Sequence, residues 1–255
     1  MDKLKPGERL VVGRNAVREL LLKDPQRISV LLVVKQEAGD RRKAELFELA
    51  QSKGVKVASV SAKDLDQLSA GTPHQSFGAV VESSQLELKD LLADLRDRTS
   101  ALLVLVDAIQ DPHNFGAVLR ASECMGVDGV IYSRNRGAGL TAAVSKSSAG
   151  ASELVTLVEV GNLAEACRKI QEAGFWLVGA EHREGAKGVS EFQFPERTAL
   201  LLGSEGSGIQ PLIRKRLDFA VEIPLFGQID SLNVSQAAAI ALYEFRRQHP
   251  LTHDG

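Results

Sequence analysis

Apolar positions along the chain recur with two periods. Ile28–Val34 (Ile-Ser-Val-Leu-Leu-Val-Val) is a β-branched run and predicts a buried strand. Val55–Val60 and Phe77–Val81 predict two more. Between them lie stretches of helical period. Asn15–Leu22 places Val17, Leu20 and Leu21 on one side, and Arg41–Lys53 ends at Gly54, a residue suited to closing a helix. Ser61 is placed to cap a helix over Ala62–Leu68. The first 83 residues thus predict a compact α/β module. Residues 84–99 predict a charged linker with one short helix, from the spacing of Leu86, Leu88, Leu91, Leu92 and Leu95. Ala101–Val106, the strongest apolar run, opens a second domain over 100–255. Strands are expected there at Val127–Tyr132, Leu154–Val160, Trp176–Ala180, Ala199–Leu202 and Phe219–Ile223. Helices are expected at Gly116–Met125, Leu163–Ala173, Pro211–Arg216 and Val234–Gln248. Alternation of this kind predicts an α/β fold, a parallel sheet with helices on both faces.

Composition adds constraints. The hydrophobic fraction is 44%, the charged fraction 25% and the aromatic fraction 5%, so the core is aliphatic. A formal charge of −2 excludes a broadly basic nucleic-acid coat and leaves room for a local basic patch. The two cysteines, Cys124 and Cys167, lack any ligand spacing and read as small buried hydrophobes. His74, His113 and His182 stand singly, so no metal site is expected. No apolar stretch reaches membrane-spanning length, and a reducing cytoplasm is the expected compartment.

The candidate chemistry lies in loops beside apolar runs, where open α/β sheets bind ligands. Asp111-Pro112-His113-Asn114-Phe115-Gly116 leads into a helix bearing Arg120. Read singly, Asn114 can be a helix cap and Arg120 a solvated residue. Yet a lone arginine on a helix of small and apolar residues suits a phosphate. Gly203-Ser204-Glu205-Gly206-Ser207-Gly208 allows close backbone approach to a ligand, or is only a tight turn. It matches neither the P-loop nor the dinucleotide fingerprint. Ile223-Pro224-Leu225 and Ser231-Leu232-Asn233 precede an alanine-rich helix, and Asn233 with Gln236 resembles a capping box. Arg134 and Arg136 in a glycine-rich loop, with Lys146 after it, suit a polyanion or form an ordinary solvated loop.

Together and in this order, these segments resemble the three signature motifs of the SpoU (TrmH-like) RNA ribose 2′-O-methyltransferases, over about residues 101–248. The resemblance implies a SPOUT-type domain whose chain threads a deep trefoil knot, against the rule that chains are unknotted. It also implies a bound S-adenosyl-L-methionine and a homodimer with RNA as substrate. The nearest pattern is that of members methylating a guanosine ribose in the peptidyl-transferase region of 23S rRNA. Phe115, Ser204, Ser207 and Asp230 depart from that pattern. By resemblance Asn114, Arg120, Glu205, Ser231 and Asn233 form the catalytic group. Gly203, Ile223 and Leu232 hold the cofactor, with Leu202, Gly208, Pro224 and Leu225 around it. The first domain resembles the L30e-type RNA-binding module at Gly13–Val17 and His74-Gln75, with Arg14, Lys35 and His74 as RNA contacts. Competing readings are a tRNA ribose methyltransferase, a non-catalytic RNA-binding assembly factor on the same fold, and a dinucleotide-dependent oxidoreductase.

Overall fold

The computed structural model describes residues 4–5, 7–35, 41–82, 86–204 and 206–251, the side chains of 41–43 excepted. The chain divides into two compact units, one of residues 1–84 with 140–154, the other of 85–139 with 155–255.

The first unit runs β1 (Glu8–Val12), α1 (Arg14–Lys23), β2 (Ile28–Val34), α2 (Arg41–Ser52), β3 (Val57–Val60), α3 (Ala62–Leu68) and β4 (Phe77–Glu82). Its sheet has the order β1-β4-β2-β3. β4 is antiparallel to both neighbours and β2 is parallel to β3. Val17, Leu20 and Leu21 of α1 are buried against Val11, Leu31, Ala79 and Val81, as their spacing requires. Ser61 caps α3, its hydroxyl accepting from Asp64 N at 3.1 Å. β1 escapes periodicity because only three of its residues are apolar, and pairing with β4 makes the strand.

The second unit begins with α4 (Leu88–Asp94), β5 (Ala101–Val106), α5 (Pro112–Cys124) and β6 (Gly129–Ser133). The next helix, α6 (Ala142–Ser147), packs with the first unit instead. Then follow β7 (Leu157–Val160), α7 (Leu163–Glu172), β8 (Trp176–Ala180), β9 (Lys187–Gly188), β10 (Arg197–Leu202), α8 (Pro211–Arg214), β11 (Phe219–Glu222) and α9 (Val234–Gln248). The sheet order is β7-β6-β5-β10-β8-β11-β9, and every pairing is parallel. Leu103, Leu105, Ile131, Val158 and Leu201 face α4, α7 and α8, whose Leu91, Cys167, Ile170 and Ile213 complete that layer. The alternate residues Leu102, Val104, Val106, Val130 and Leu202 are buried on the other side. There Phe115 of α5 meets Tyr132 at 5.4 Å between ring centroids, and α5 packs on α9.

Three differences from the sequence reading have physical causes. Leu88, Leu91 and Leu95 of the expected linker are buried in the core of the second unit, so their helical stripe found a sheet to cover. Residues 140–154, expected in the second domain, pack with the first unit. Glu153 anchors them there: its carboxylate accepts from Arg9 Nη1 at 2.9 Å and from the Ser152 hydroxyl at 2.9 Å. Cys124 is exposed near the end of α5, whereas Cys167 is buried. Among the described residues no helix is long and apolar enough to cross a membrane.

Candidate functional site

In the second unit, the C-terminal ends of β8, β10 and β11 open on a cavity of about 660 Å³. Leu202, Gly203, Gly208, Ile223, Leu225, Ser231, Leu232 and Asn233 all line it. Loops far apart in sequence meet here because β10 lies next to β8, and β11 on β8's other side. Pro224 is not among the lining residues; its ring stands beside Gly188. Gly203 has a strict steric reason. A Cβ there would lie 2.5 Å from Ile209 N and 2.8 Å from the Gly208 carbonyl oxygen. Gly208 adopts φ 64°, the left-handed region that favours glycine, and pairs with Ser204 across the loop.

The catalytic candidates divide. Asn233 Nδ2 donates to Asn114 Oδ1 at 2.9 Å, joining positions 119 residues apart. Asn114 is not the cap of α5. Asp111 caps it, accepting from His113 N at 2.9 Å, because the helix starts at Pro112. Asn233 does cap α9, with Ser235 N as its donor at 2.9 Å, and Gln236 takes no part in that side-chain bond. Ser231 is exposed at the cavity rim. Arg120 projects from α5 into solvent, is not among the lining residues, and forms no hydrogen bond or ion pair with any described residue. Glu205 lies outside the described residues.

Sequence reading missed several groups in this wall. Glu181 and Glu222 line it from the ends of β8 and β11, and Asp230 from the following loop. Glu181 is tied to Arg214 at 2.9 Å, and Glu222 to His182 at 2.5 Å. Arg214 lines the same wall and offsets Glu181, so Glu222 and Asp230 carry its net negative charge, a complement to a cation. Ala237 and Ala241 of α9 also line it, so the alanine-rich helix serves close approach. No motif marks such residues; only the strand order collects them.

The nucleic-acid candidates fall in two places. Arg14, Lys35 and His74 lie at one edge of the first unit's sheet, where β1 and β2 end and β4 begins. Arg14 N donates to Gln75 Oε1 at 3.2 Å, and Val34 N to the Ser76 carbonyl at 3.0 Å. Gln75 and Ser76 both have positive φ, 53° and 71°. Arg14 is paired with Glu45 at 2.9 Å, and His74 Nε2 is 3.1 Å from Asp66 Oδ1. Lys146 belongs to the first unit too. Arg134 and Arg136 stand in the second unit, after β6.

A family model described as the SpoU rRNA methylase family matches residues 101–243. The chain belongs to this family. A second model, RNA 2′-O ribose methyltransferase substrate binding, matches residues 10–87. The 23S rRNA (guanosine-2′-O-)-methyltransferase RlmB of Neisseria meningitidis is 36% identical over 97% of this chain and 98% of its own. Its counterpart of the same name from Coxiella burnetii is 39% identical over 97% of each chain. The crystal structure of the SpoU methyltransferase AviRb from Streptomyces viridochromogenes, in complex with AdoMet, superposes with a TM-score of 0.79 at 28% identity, covering 96% of this chain and 91% of that one. An AdoMet-bound rRNA methyltransferase from Sinorhizobium meliloti shares the fold, with a TM-score of 0.78 at 21% identity over 97% of this chain and 89% of that one.

Proposed function

We propose that this protein transfers a methyl group from S-adenosylmethionine to the ribose 2′-hydroxyl of a guanosine in the peptidyl-transferase region of 23S rRNA, in the cytoplasm. The observation that carries the reading is the convergence of Gly203, Ser204, Gly206–Gly208, Ile223, Leu225 and Ser231–Asn233 on one cavity, with Asn114 bonded to Asn233. The residues suit the cofactor. Gly203 leaves room where any side chain would strike backbone, Leu202, Ile223 and Leu232 give an apolar bed, and Glu222 and Asp230 complement a sulfonium cation. The chemistry that S-adenosylmethionine supplies when bound is an electrophilic methyl group. The chain must place the acceptor hydroxyl and manage its proton. The Asn114–Asn233 pair offers amide groups to orient that hydroxyl. Arg120, free of partners among the described residues, clamps the adjacent phosphate and stabilises the developing alkoxide. A guanidinium is too basic to be the proton acceptor. Glu205 or solvent takes the proton.

The reading includes a homodimer. Phe226 is 98% exposed and Ile229 77%, with Leu225, Ile240 and Tyr243 also exposed, apolar side chains that a second copy would cover. Arg120 standing outside its own chain's cavity suits a site completed across that interface. It also includes a trefoil knot. β10 enters between β5 and β8, and β11 between β8 and β9, re-entries that threading would produce. The first unit acts as an L30e-like RNA-binding module, presenting Arg14, Lys35 and His74.

The test is methyl transfer from labelled S-adenosylmethionine to naked 23S rRNA, 16S rRNA and bulk tRNA. Label is expected in 23S rRNA as an alkali-resistant 2′-O-methylguanosine dinucleotide, lost by about 10²-fold or more in Arg120→Ala. Arg120→Lys should retain RNA binding but little turnover, since an ammonium lacks the two-pronged geometry. Label in tRNA alone would overturn the substrate, and no cofactor binding would overturn the enzyme. Phe226→Asp should sediment as a monomer.

A further inference from the structure

The second unit holds another cavity at the C-terminal edge of its sheet, of about 290 Å³, where β6 and β7 end. Its floor is aliphatic: Leu163 and Ile213 are buried, and Leu212 is exposed above them. Its rim carries Asn135, Arg136, Asn162 and Gln210. Residues 206–214 border both cavities: Gly206, Ser207, Gly208 and Arg214 line the first, and Gln210, Leu212 and Ile213 line this one. β6 and β10 are separated only by β5, so the strand ends beneath the two cavities lie roughly 10 Å apart.

The rim is built rather than merely solvated. Asp107, fully buried at the end of β5, accepts from Gln210 N at 2.7 Å and also from the Gln210 side-chain amide. Gln210 Oε1 in turn accepts from Arg136 Nη1 at 2.5 Å. A second pin holds the same loop, Ala138 N donating to the Ile109 carbonyl at 2.9 Å. A buried carboxylate thus positions an exposed guanidinium through one glutamine, and the other Arg136 donors point to no described residue. The neighbouring acid Glu159 is occupied by Arg134 at 3.2 Å. Asn162 spends its carbonyl on Glu165 N at 3.1 Å, which leaves its amide N–H groups to donate.

We propose that this cavity is a subsite for one unpaired nucleotide of the RNA, next to the nucleotide that accepts the methyl group. The inference rests on the RNA-methylating reading above. An aliphatic floor takes the face of a base, amide groups match base edges, and a planar guanidinium matches a phosphate. Sequence-specific RNA recognition reads such splayed single-stranded bases. The volume, near the lower bound of small-molecule sites, admits a nucleotide and excludes a peptide helix.

The experiment titrates wild type, Arg136→Ala, Asn135→Ala and Gln210→Leu with a 23S rRNA hairpin transcript at several salt concentrations. Cofactor affinity is measured in parallel by calorimetry. Arg136→Ala should weaken RNA binding by about 10- to 100-fold, the range for a lost charged hydrogen bond, and make the salt dependence shallower by roughly one phosphate. The loss in methylation should fall on the KM for RNA rather than on kcat. Gln210→Leu keeps every donor of Arg136 but removes its support, and should weaken RNA binding by a smaller factor. Cofactor affinity should stay within about twofold in all variants. Arg136→Ala and Asn135→Ala lie in an exposed loop, so they test the subsite even if Gln210→Leu unfolds. Variants that bind RNA with wild-type affinity and salt slope, beside a wild type that methylates, overturn the subsite alone. A wild type that neither binds nor methylates RNA overturns both readings.

Discussion

Glu153→Ala should destabilise the first unit far more than its neighbours would. The Glu153 carboxylate is 0% exposed and Arg9 13%, and the two are joined by a two-pronged ion pair. The same carboxylate serves the Ser152 hydroxyl at 2.9 Å and the Ser145 hydroxyl at 3.5 Å. Truncation leaves a largely buried guanidinium uncompensated and two buried hydroxyls without their acceptor. Removing one partner of a buried pair costs about 3–5 kcal/mol. A whole domain is stable by roughly 5–15 kcal/mol. The loss should therefore release residues 140–154 and expose β1. Urea unfolding followed by circular dichroism gives the magnitude. Hydrogen exchange of peptides from 7–35 and 140–154 gives the location, and Trp176, the single tryptophan, reports the second unit as a control. A double-mutant cycle with Arg9→Ala should give a coupling above about 1 kcal/mol. A cost below about 1 kcal/mol, with coupling under about 0.5, would place the pair among inert surface ion pairs and refute the argument.

Gly203→Ala should lower cofactor affinity by about tenfold or more, because the added Cβ displaces the Gly208–Ile209 backbone; calorimetric binding at wild-type affinity would contradict it. Asn233→Ser keeps a capping oxygen for α9, so stability should hold within about 0.5 kcal/mol. Its lost bond to Asn114 should nevertheless cost about 10²-fold in methyl transfer, and full activity would remove the pair from the chemistry. Burial among Leu163, Ala166 and Ile170, with the Asp107 charge as a smaller cause, pushes the Cys167 thiol up to about 12. One thiol of two, that of exposed Cys124, should therefore react with a disulfide reagent in the native protein, and two fast equivalents would refute the burial. A raised native value favours the fold fully below the ordinary thiol range. The stability difference from Cys167→Ala should then narrow as pH rises from 9.0 toward about 12.

The sequence by itself determined the local elements and the site's vocabulary. Ile28–Val34, Ala101–Val106 and Trp176–Ala180 form strands at the positions their apolar runs predict, since continuous apolar residues must be buried on both faces. Ser61 caps α3 through chemistry contained within four residues. The three glycine- and asparagine-bearing loops were legible because loops at strand ends carry their own composition. Tertiary structure decided everything that depends on what lies across space. β1 and the two-residue β9 exist only because a neighbour pairs with them. Residues 140–154 look like any small-residue loop and short helix until Glu153 finds Arg9, 144 positions away. Asn114 and Asn233 meet because α5 packs on α9, and Asp107 reaches Arg136 through Gln210 because the strand order places β10 beside β5. Periodicity reports which face of an element is buried; it carries no information about which element buries it.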